Sequence, residues 1–292
     1  MKQTKEKKLI SPNECSFGRW IVVLLVGLVI GFLPSIFFAP YSTNTTDTIM
    51  GITYANFFSM LSFIPLFWGM VLAIKLIGKT SLKDFVLGVG GKMNVKLCLI
   101  IAGLYAVGLS TPCLIMIRNL RMRDVDAKQY AFLLVFMLLT TWMQTSFEEL
   151  VFRGIVIRWA CKNDVRFTKK AMIAALISSV AFAIAHVSNP EVTSQKGIYI
   201  VLATITYAIP AFLCFVVNLQ FGNLLPGLII HWVNNLILFT VISEDVAAMP
   251  VQTLFVDTTP HSAVWMLAST VISYVPVLIF MLVVALKRKK ED

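Results

Sequence analysis

Charged side chains are scarce in this sequence. Only 14% of its 292 residues are Asp, Glu, Lys or Arg, whereas 58% are hydrophobic, and the mean hydropathy is +0.82. Apolar runs long enough to cross a bilayer recur along the whole length, and no polar segment between them is long enough to form a soluble domain. This composition excludes an ordinary soluble protein and predicts a polytopic membrane protein.

Cysteine and histidine are also rare. The five cysteines show no C-x-x-C spacing, and most lie in or beside apolar runs, where cysteine behaves as a small hydrophobic residue. The sequence therefore indicates neither a disulfide framework nor a thiolate metal site. Of the three histidines, His186 and His231 lie within apolar runs, whereas His261 lies at a loop-to-span junction, where an interfacial role is expected.

The apolar runs predict an all-α fold, a polytopic membrane helix bundle of about eight transmembrane helices. The predicted spans cover about residues 20–39, 51–74, 97–116, 131–158, 171–188, 198–217, 224–243 and 263–286. They form one membrane domain, 20–286, between a basic N-terminus, 1–19, and a basic tail, 287–292. The first span is expected to be an uncleaved anchor, because its apolar run is too long for a signal peptide and no small-residue cleavage site follows it.

The net charge of +10 would suit a nucleic-acid-binding protein, but the positions of the basic residues argue against that function. With the N-terminus inside, the cytoplasmic segments 1–19, 75–96, 158–170 and 287–290 hold 19 of the 25 lysine and arginine residues. This positive-inside bias predicts that both termini are cytoplasmic. The exception is the loop 117–129, which carries four basic residues on the predicted outer side. We expect the bilayer, and no nucleic acid, to be the partner of the basic edges.

The stretch "FEELVFRG" places Glu148, Glu149 and Arg153 near the end of a long apolar run. At a bilayer centre such charges cost about 2.5–3.5 kcal/mol each, so each needs a stabilising partner. Glu149 and Arg153 are i,i+4 on a helix and can pair. Glu148 is rotated by about 100° from Glu149 and needs a partner from another helix. A desolvated glutamate has a raised proton affinity, which suits a general base near neutral pH.

Two further apolar runs carry polar groups that could serve as partners. Phe182 and His186 are i,i+4, and so are His231 and Asn235 in "HWVNN". Taken alone, an intramembrane Glu–Arg pair can be a structural clamp, a histidine can bond a backbone carbonyl, and an asparagine can join helices. Three such groups on separate helices, at compatible depths, predict one shared site within the membrane that is open to the cytoplasm.

The three groups together carry a family resemblance. The patterns are Glu148-Glu149-x-x-x-Arg153, Phe182-x-x-x-His186 and His231-x-x-x-Asn235, in this order on three apolar segments. The sequence thereby resembles the CPBP family of intramembrane endopeptidases, also called the Abi or CAAX-protease family, which includes the eukaryotic CAAX prenyl endopeptidase type 2. The resemblance covers about 148–235, within a family core of about 131–243.

The resemblance implies an endopeptidase whose site lies inside the membrane domain. It assigns Glu148 as general base, His186 as its partner in holding a water molecule, and His231 with Asn235 as the oxyanion group. Arg153 would orient Glu149, and Phe182 would support His186. The metal question stays open: Glu148, His186 and His231 could form a zinc site with an open position, whereas we favour a water activated by glutamate without a cofactor. H-E-x-x-H is absent, so the chain does not resemble site-2 metalloproteases.

The predicted function is therefore hydrolysis of a peptide bond in a membrane-associated or lipidated peptide or protein. The alternatives are a non-catalytic scaffold or immunity-type factor and, less favoured, an ion or proton-coupled transporter. We expect a multi-pass protein of the cell membrane, in a bacterial plasma membrane or, in a eukaryote, the endoplasmic reticulum. Gly27 and Gly31 have G-x-x-x-G spacing, which allows a homodimer.

Overall fold

Helices dominate the computed structural model, which describes residues 16–38, 49–88, 91–161, 167–244, 253–259 and 262–291. Within this part of the chain the α-helices are α1 Phe17–Ser35, α2 Ile49–Leu76, α3 Leu82–Leu87, α4 Val95–Ile115, α5 Ala127–Glu149, α6 Ile155–Cys161, α7 Lys169–Ala185, α8 Pro190–Thr193, α9 Ile198–Phe221, α10 Leu225–Thr240 and α11 Ala263–Glu291. A 3₁₀ turn, Ile117–Asn119, follows α4, and a π-helical turn, Leu150–Gly154, joins α5 to α6.

Each of the eight predicted spans coincides with helical structure, and the span 131–158 covers α5, the π-helical turn and α6. Six segments are long and apolar enough to cross a membrane by length and composition: Phe17–Ser35, Phe57–Leu76, Val95–Ile115, Ala127–Cys161, Ile198–Phe221 and Ala263–Lys287. The other two predicted spans correspond to α7, of 17 residues, and α10, of 16 residues. Large hydrophobic side chains are exposed on many of these helices, as expected where lipid replaces water as the surrounding solvent. The predicted polytopic helix bundle is confirmed.

Short polar side chains determine where several helices begin. Asn94 accepts a hydrogen bond from the third residue of α4, Asp126 accepts two in the first turn of α5, and Thr168 caps α7 in the same way. Such caps satisfy amides that have no partner within the helix, each contributing about 1 kcal/mol. At the other end of α9, Gly222 adopts a left-handed conformation with φ 68°, which glycine tolerates without strain.

Helix α10 is the central element for the site. It packs against α5, α4 and α9, while α9 also contacts α7 and α11. A close approach fixes α10 against α9, because the Asn218 side chain accepts a hydrogen bond from the Gly227 amide at 2.8 Å. A Cβ atom at Gly227 would lie 2.6 Å from that same oxygen. The segments with the three motifs therefore converge around α10.

The G-x-x-x-G pair of α1 is used inside the chain. Gly27 and Gly31 are buried against α2, and a Cβ atom at Gly31 would lie 2.5 Å from the Cα atom of Leu66. Gly69 of α2 faces the same contact from the other side. Small residues here let two helices approach closely within one molecule. These two glycines thus have a partner without a second copy, and the homodimer stays a prediction.

A small sheet lies at one end of the bundle, which the all-helical prediction did not include. Strands β1 Leu120–Met122, β2 Ile242–Glu244 and β3 Phe255–Asp257 form it in the order β1-β3-β2, with β1 antiparallel and β2 parallel to β3. Strand β1 belongs to the basic loop 117–129, which carries four basic residues on the predicted outer side and is the exception to the positive-inside bias. The sheet joins two loops that the predicted topology places on the same, outer side.

Contacts at the opposite end join segments that the sequence assigns to the cytoplasmic side. The Arg158 guanidinium donates to the backbone carbonyls of Asp84, at 3.0 Å, and of Phe85, and lies 3.7 Å over the Phe85 ring. The Leu224 amide donates to the Val86 carbonyl at 2.9 Å. The loops therefore group as the topology requires. Which end faces the cytoplasm stays a prediction, and His261 lies outside the described residues.

Candidate active site

The first motif lies where the helix geometry changes. Glu148 and Glu149 are the last residues of α5, and the π-helical turn Leu150–Gly154 follows directly. The sequence analysis did not predict this π-helical turn. The Ser178 hydroxyl of α7 donates to the Phe152 carbonyl, and a side chain inserted in this way can supply the partner that a disturbed helical ladder lacks. Single π turns of this kind are frequent at functional sites.

Glu149 and Arg153 form the ion pair that their spacing predicted. Arg153 Nη1 lies 3.1 Å from Glu149 Oε1, and both side chains are almost completely buried. The guanidinium carbon lies 4.3 Å from the centre of the Phe182 ring, so the cation also contacts an aromatic face. A buried pair of this geometry neutralises both charges locally, and removing Glu149 would leave the buried Arg153 without its carboxylate.

His231 links both glutamates of the first motif. Its Nδ1 lies 3.0 Å from Glu149 Oε1, and its Nε2 lies 3.4 Å from Glu148 Oε2. Paired with Arg153, Glu149 is a carboxylate that only accepts hydrogen bonds, so His231 Nδ1 is the donor. The sequence predicted the pairing of Glu149 with Arg153 but not this second partner. The structure places one imidazole between the two acids, with Nε2 directed at Glu148.

Glu148 has a partly unsatisfied carboxylate. Its Oε1 accepts a hydrogen bond from Gln144 Nε2 at 3.3 Å. Its Oε2 is buried and has no hydrogen-bond partner among the described residues, although His231 Nε2 is the nearby basic atom. Arg153 pairs with Glu149 and not with Glu148, as the helical spacing predicted. Glu148 therefore keeps an oxygen available for a water molecule or substrate.

His186 lies at the end of α7 and does not contact Glu148. Its Nδ1 lies 2.8 Å from the Phe182 carbonyl oxygen, and a carbonyl only accepts, so Nδ1 carries the proton. In the neutral ring Nε2 is then an acceptor. Within the described part of the chain no hydrogen bond or ion pair joins His186 to Glu148. The Phe182 ring packs against both histidines, because its centre lies 4.3 Å from that of His186 and 5.7 Å from that of His231.

A second set of polar residues surrounds His186, and sequence reasoning missed it. The His186 ring stacks on Tyr207 with centres 4.7 Å apart. The Tyr207 hydroxyl donates to Glu191, and Asn189 Nδ2 donates to the Tyr207 oxygen at 2.9 Å. Asn189 and Glu191 follow His186 within five residues, which is the only sequence signal that could have indicated them.

Asn235 enters the site through Gln144, which sequence reasoning also missed. Asn235 Nδ2 donates to Gln144 Oε1 at 3.5 Å, and Asn235 Oδ1 accepts from Asn234 Nδ2 at 3.0 Å. Gln144 lies one helical turn before Glu148, and this i,i+4 spacing in an apolar run was the available signal. The described side chains of the first and third motifs are therefore joined into one polar network.

The geometry does not fit the zinc alternative. No group of three or more His, Cys, Asp or Glu side chains in the described ranges is arranged to hold a metal ion. Glu148 and His231 are close to each other, but His186 directs Nδ1 at a carbonyl and is separated from them by Phe182. A structural zinc site needs four ligands, and a catalytic one needs three together with an open position.

The comparisons with known proteins agree with the motifs. Residues 130–237 match the family model "Type II CAAX prenyl endopeptidase Rce1-like", a segment that contains every motif residue. The uncharacterized protein YyaK of Bacillus subtilis (strain 168) is 30% identical over 123 residues, which is 42% of this chain and 38% of that protein. No solved structure matches the chain. The resemblance indicated by the three motifs is thus confirmed at the level of similarity: residues 130–237, which carry all three motifs, are similar to the Rce1-like type II CAAX prenyl endopeptidase family.

Proposed function

We propose that this protein is an intramembrane endopeptidase that hydrolyses a peptide bond with a water molecule activated by Glu148. The observation that carries the proposal is the position of His231, which contacts the acids of the first motif from a separate helix. Glu148 has no arginine partner, and its buried Oε2 accepts no hydrogen bond among the described residues, so this oxygen can face a water molecule. The Rce1-like match over residues 130–237 supports the same class of reaction.

In the proposed reaction Glu148 removes a proton from a bound water molecule as the oxygen attacks the substrate carbonyl. The carbonyl π electrons move to oxygen, which becomes an oxyanion. The tetrahedral intermediate then collapses, the C–N bond breaks, and Glu148 returns the proton to the leaving amine. His186 Nε2, left as an acceptor by its Nδ1 hydrogen bond, is suited to hold the second proton of the same water.

His231 and Asn235 are proposed to stabilise the oxyanion. The Glu149 carboxylate accepts a hydrogen bond from His231 Nδ1 at 3.0 Å and so holds the ring with Nε2 on the side of Glu148, where Nε2 is proposed to contact the developing negative charge. Asn235 can donate with its amide without changing charge. Arg153 keeps Glu149 ionised, and Phe182 packs against Arg153 and both histidines.

The proposed substrate is a membrane-associated or lipidated peptide or protein that reaches the site from the membrane or its cytoplasmic face. The name of the matched family suggests a prenylated C-terminal CAAX peptide as the first probe. The proposed mechanism uses no metal ion. Every step is assigned to a side chain of this chain or to water.

A cleavage assay on the purified full-length protein tests the proposal. The probe is a farnesylated, internally quenched CAAX peptide, measured beside its non-prenylated form. We expect wild type to cleave it, Glu148→Gln to lose cleavage by at least about 10², and exhaustive chelation to leave the wild-type rate unchanged.

The matched control is Asp126→Asn, the same acid-to-amide change at the start of the same helix, where asparagine also caps well. It should cleave at the wild-type rate. Wild-type cleavage that Glu148→Gln retains would overturn the proposed role of Glu148. Activity that disappears on chelation and returns with added Zn²⁺ would replace the metal-free mechanism with a zinc mechanism.

A further inference from the structure

Four consecutive hydrogen bonds connect α4 to the proposed general base. Tyr105 Oη donates to Asn234 Oδ1 at 2.9 Å, and Asn234 Nδ2 donates to Asn235 Oδ1 at 3.0 Å. Asn235 Nδ2 then donates to Gln144 Oε1 at 3.5 Å, and Gln144 Nε2 donates to Glu148 Oε1 at 3.3 Å. The chain of bonds, here called the amide relay, crosses from α4 through α10 to α5. Tyr105 lies outside the segment that matches the family model.

The direction of the amide relay follows from its carboxylate end. An ionised Glu148 only accepts, so Gln144 must present its NH₂ group to it and turn its oxygen to Asn235. Asn235 must then donate with its own NH₂ group, and its oxygen accepts from Asn234. The same reasoning turns the Asn234 oxygen to the Tyr105 hydroxyl. The ionised base therefore fixes the orientation of three side-chain amides, each of which could otherwise be flipped.

We infer that Tyr105, Asn234 and Gln144 are positioning residues that hold the NH₂ group of Asn235 towards the site where the oxyanion forms. This inference rests on the proposed function. Asn235 has a second N–H besides the one bonded to Gln144. This second N–H can donate to the oxyanion only while Asn234 holds the Asn235 oxygen on the opposite side. Tyr105 is 2% exposed, so water does not compete for its hydroxyl as it would at a surface.

Tyr130 supplies a matched control for Tyr105. Its hydroxyl donates to the Thr240 carbonyl at 2.9 Å, so it also joins α10 to a neighbouring helix, but through the backbone and outside the amide relay. Tyr→Phe at either position removes one interhelical hydrogen bond of the same length. A purely structural role for Tyr105 predicts that neither substitution changes kcat, whereas a positioning role predicts a loss of kcat for Tyr105→Phe alone.

The kinetic experiment measures kcat and KM of full-length wild type, Tyr105→Phe and Tyr130→Phe on the farnesylated, quenched CAAX peptide. We expect Tyr105→Phe to lower kcat about tenfold with KM unchanged, since misplacement of a catalytic group acts on the transition state. Tyr130→Phe should keep the wild-type kcat. Asn234→Asp can still accept a hydrogen bond from Tyr105 but cannot donate one to Asn235, so it should lower kcat by at least as much as Tyr105→Phe. Equal kcat values for the two phenylalanine variants would overturn the inference.

A second experiment needs no turnover and separates failure of the inference from failure of the proposed function. Melting temperatures in detergent are measured for Tyr105→Phe, Gln144→Met and the double variant. Among the described residues no hydrogen bond joins Tyr105 directly to Gln144, so the effects of two independent substitutions would add. Because both residues belong to the amide relay, we expect the melting temperature of the double variant to fall by less than the sum of the two single losses. The losses for Tyr130→Phe and Gln144→Met should add. Additive losses for Tyr105 and Gln144 would refute the amide relay. Non-additive losses without any peptide cleavage would retain the relay and reject the proposed function.

Discussion

Adjacent glutamates have different surroundings in this protein, although their chemistry is identical. Glu149 is held by Arg153 and by His231 Nδ1, whereas Glu148 is bonded only through Gln144 at one oxygen and faces His231 Nε2 with the other. A buried carboxylate paired with an arginine stabilises the fold, and one without a cationic arginine partner remains available for chemistry. We therefore expect stability and catalysis to separate between the two residues.

Glu149→Gln should lower the melting temperature of the purified protein in detergent. The substitution leaves the Arg153 guanidinium buried without its partner, and breaking a buried pair in this way costs about 3–5 kcal/mol. Glu148→Gln should cause a smaller loss, because a glutamine can keep a hydrogen bond to Gln144. Differential scanning fluorimetry checks both variants, and a larger loss for Glu148→Gln would reverse the assignment.

Asn235→Ala should lower kcat by about 10²–10³ and leave KM nearly unchanged, because its amide acts on charge that develops in the transition state. Steady-state kinetics on the farnesylated CAAX peptide measure both constants. Full activity in Asn235→Ala would show that this residue only joins helices.

At the scale of elements, contacts within one helix were predictable and contacts between helices were not. The spacing of Glu149 and Arg153 predicts their pairing whatever the neighbours are, and the same holds for Phe182 and His186. The bond from His231 to Glu149 depends on the rotation of α10 against α5, which depends on close packing that the motif spacing does not specify. The second-motif histidine shows the limit: the Phe182 ring joins it to His231, and no hydrogen bond among the described residues joins it to Glu148.

The π turn and the small sheet illustrate the same limit. The π turn has a carbonyl that accepts from Ser178 on another helix, so no local propensity of "LVFRG" determines it. Strand β1 pairs with β3, more than 130 residues later in the chain. Three-residue strands carry too short a pattern to be recognised beside a basic loop, and their pairing is entirely long-range.

Gly154→Ala should destabilise the protein and lower cleavage. A Cβ atom there would lie 2.5 Å from Phe85 Cε1 and 3.0 Å from Leu224 Cδ1, inside a packed contact at the end of the π turn. Overpacking of this kind costs about 1–3 kcal/mol. Thermal unfolding in detergent measures the loss.

Gly103→Ala is the control, because a Cβ atom at this helical position meets nothing within 4 Å. It should match or exceed the wild-type melting temperature, since alanine favours a helix over glycine by about 1 kcal/mol. Equal melting temperatures of Gly154→Ala and Gly103→Ala would show that Gly154 is not tightly packed.

At the scale of the whole molecule, the polar network lies between helices whose outer surfaces are apolar. Helices α4, α5, α7, α9 and α10 supply the residues of the site and its surroundings, so the site depends on the assembled bundle. The loops at the two ends group as the charge bias requires: the sheet joins two predicted outer loops, and Arg158 joins two predicted inner ones. Only the absolute orientation depends on the positive-inside rule.

Labelling of single cysteines in a cysteine-free background tests that orientation. We expect Ser42→Cys, which lies outside the described residues, to react with an impermeant maleimide added to intact cells. Lys289→Cys should react only after permeabilisation, since 19 of 25 basic residues lie in the predicted cytoplasmic segments. Labelling of Lys289→Cys in intact cells would invert the topology.

The most direct test of the central claim, hydrolysis by a Glu148-activated water, is mass spectrometry of peptide cleavage in H₂¹⁸O. Wild-type protein in lipid vesicles should cut one bond of the farnesylated CAAX peptide and place ¹⁸O in the new carboxyl group. Glu148→Gln, once its melting curve has shown that it is folded, should yield no labelled product over the same period. Labelled product formed by Glu148→Gln at the wild-type rate would contradict the account.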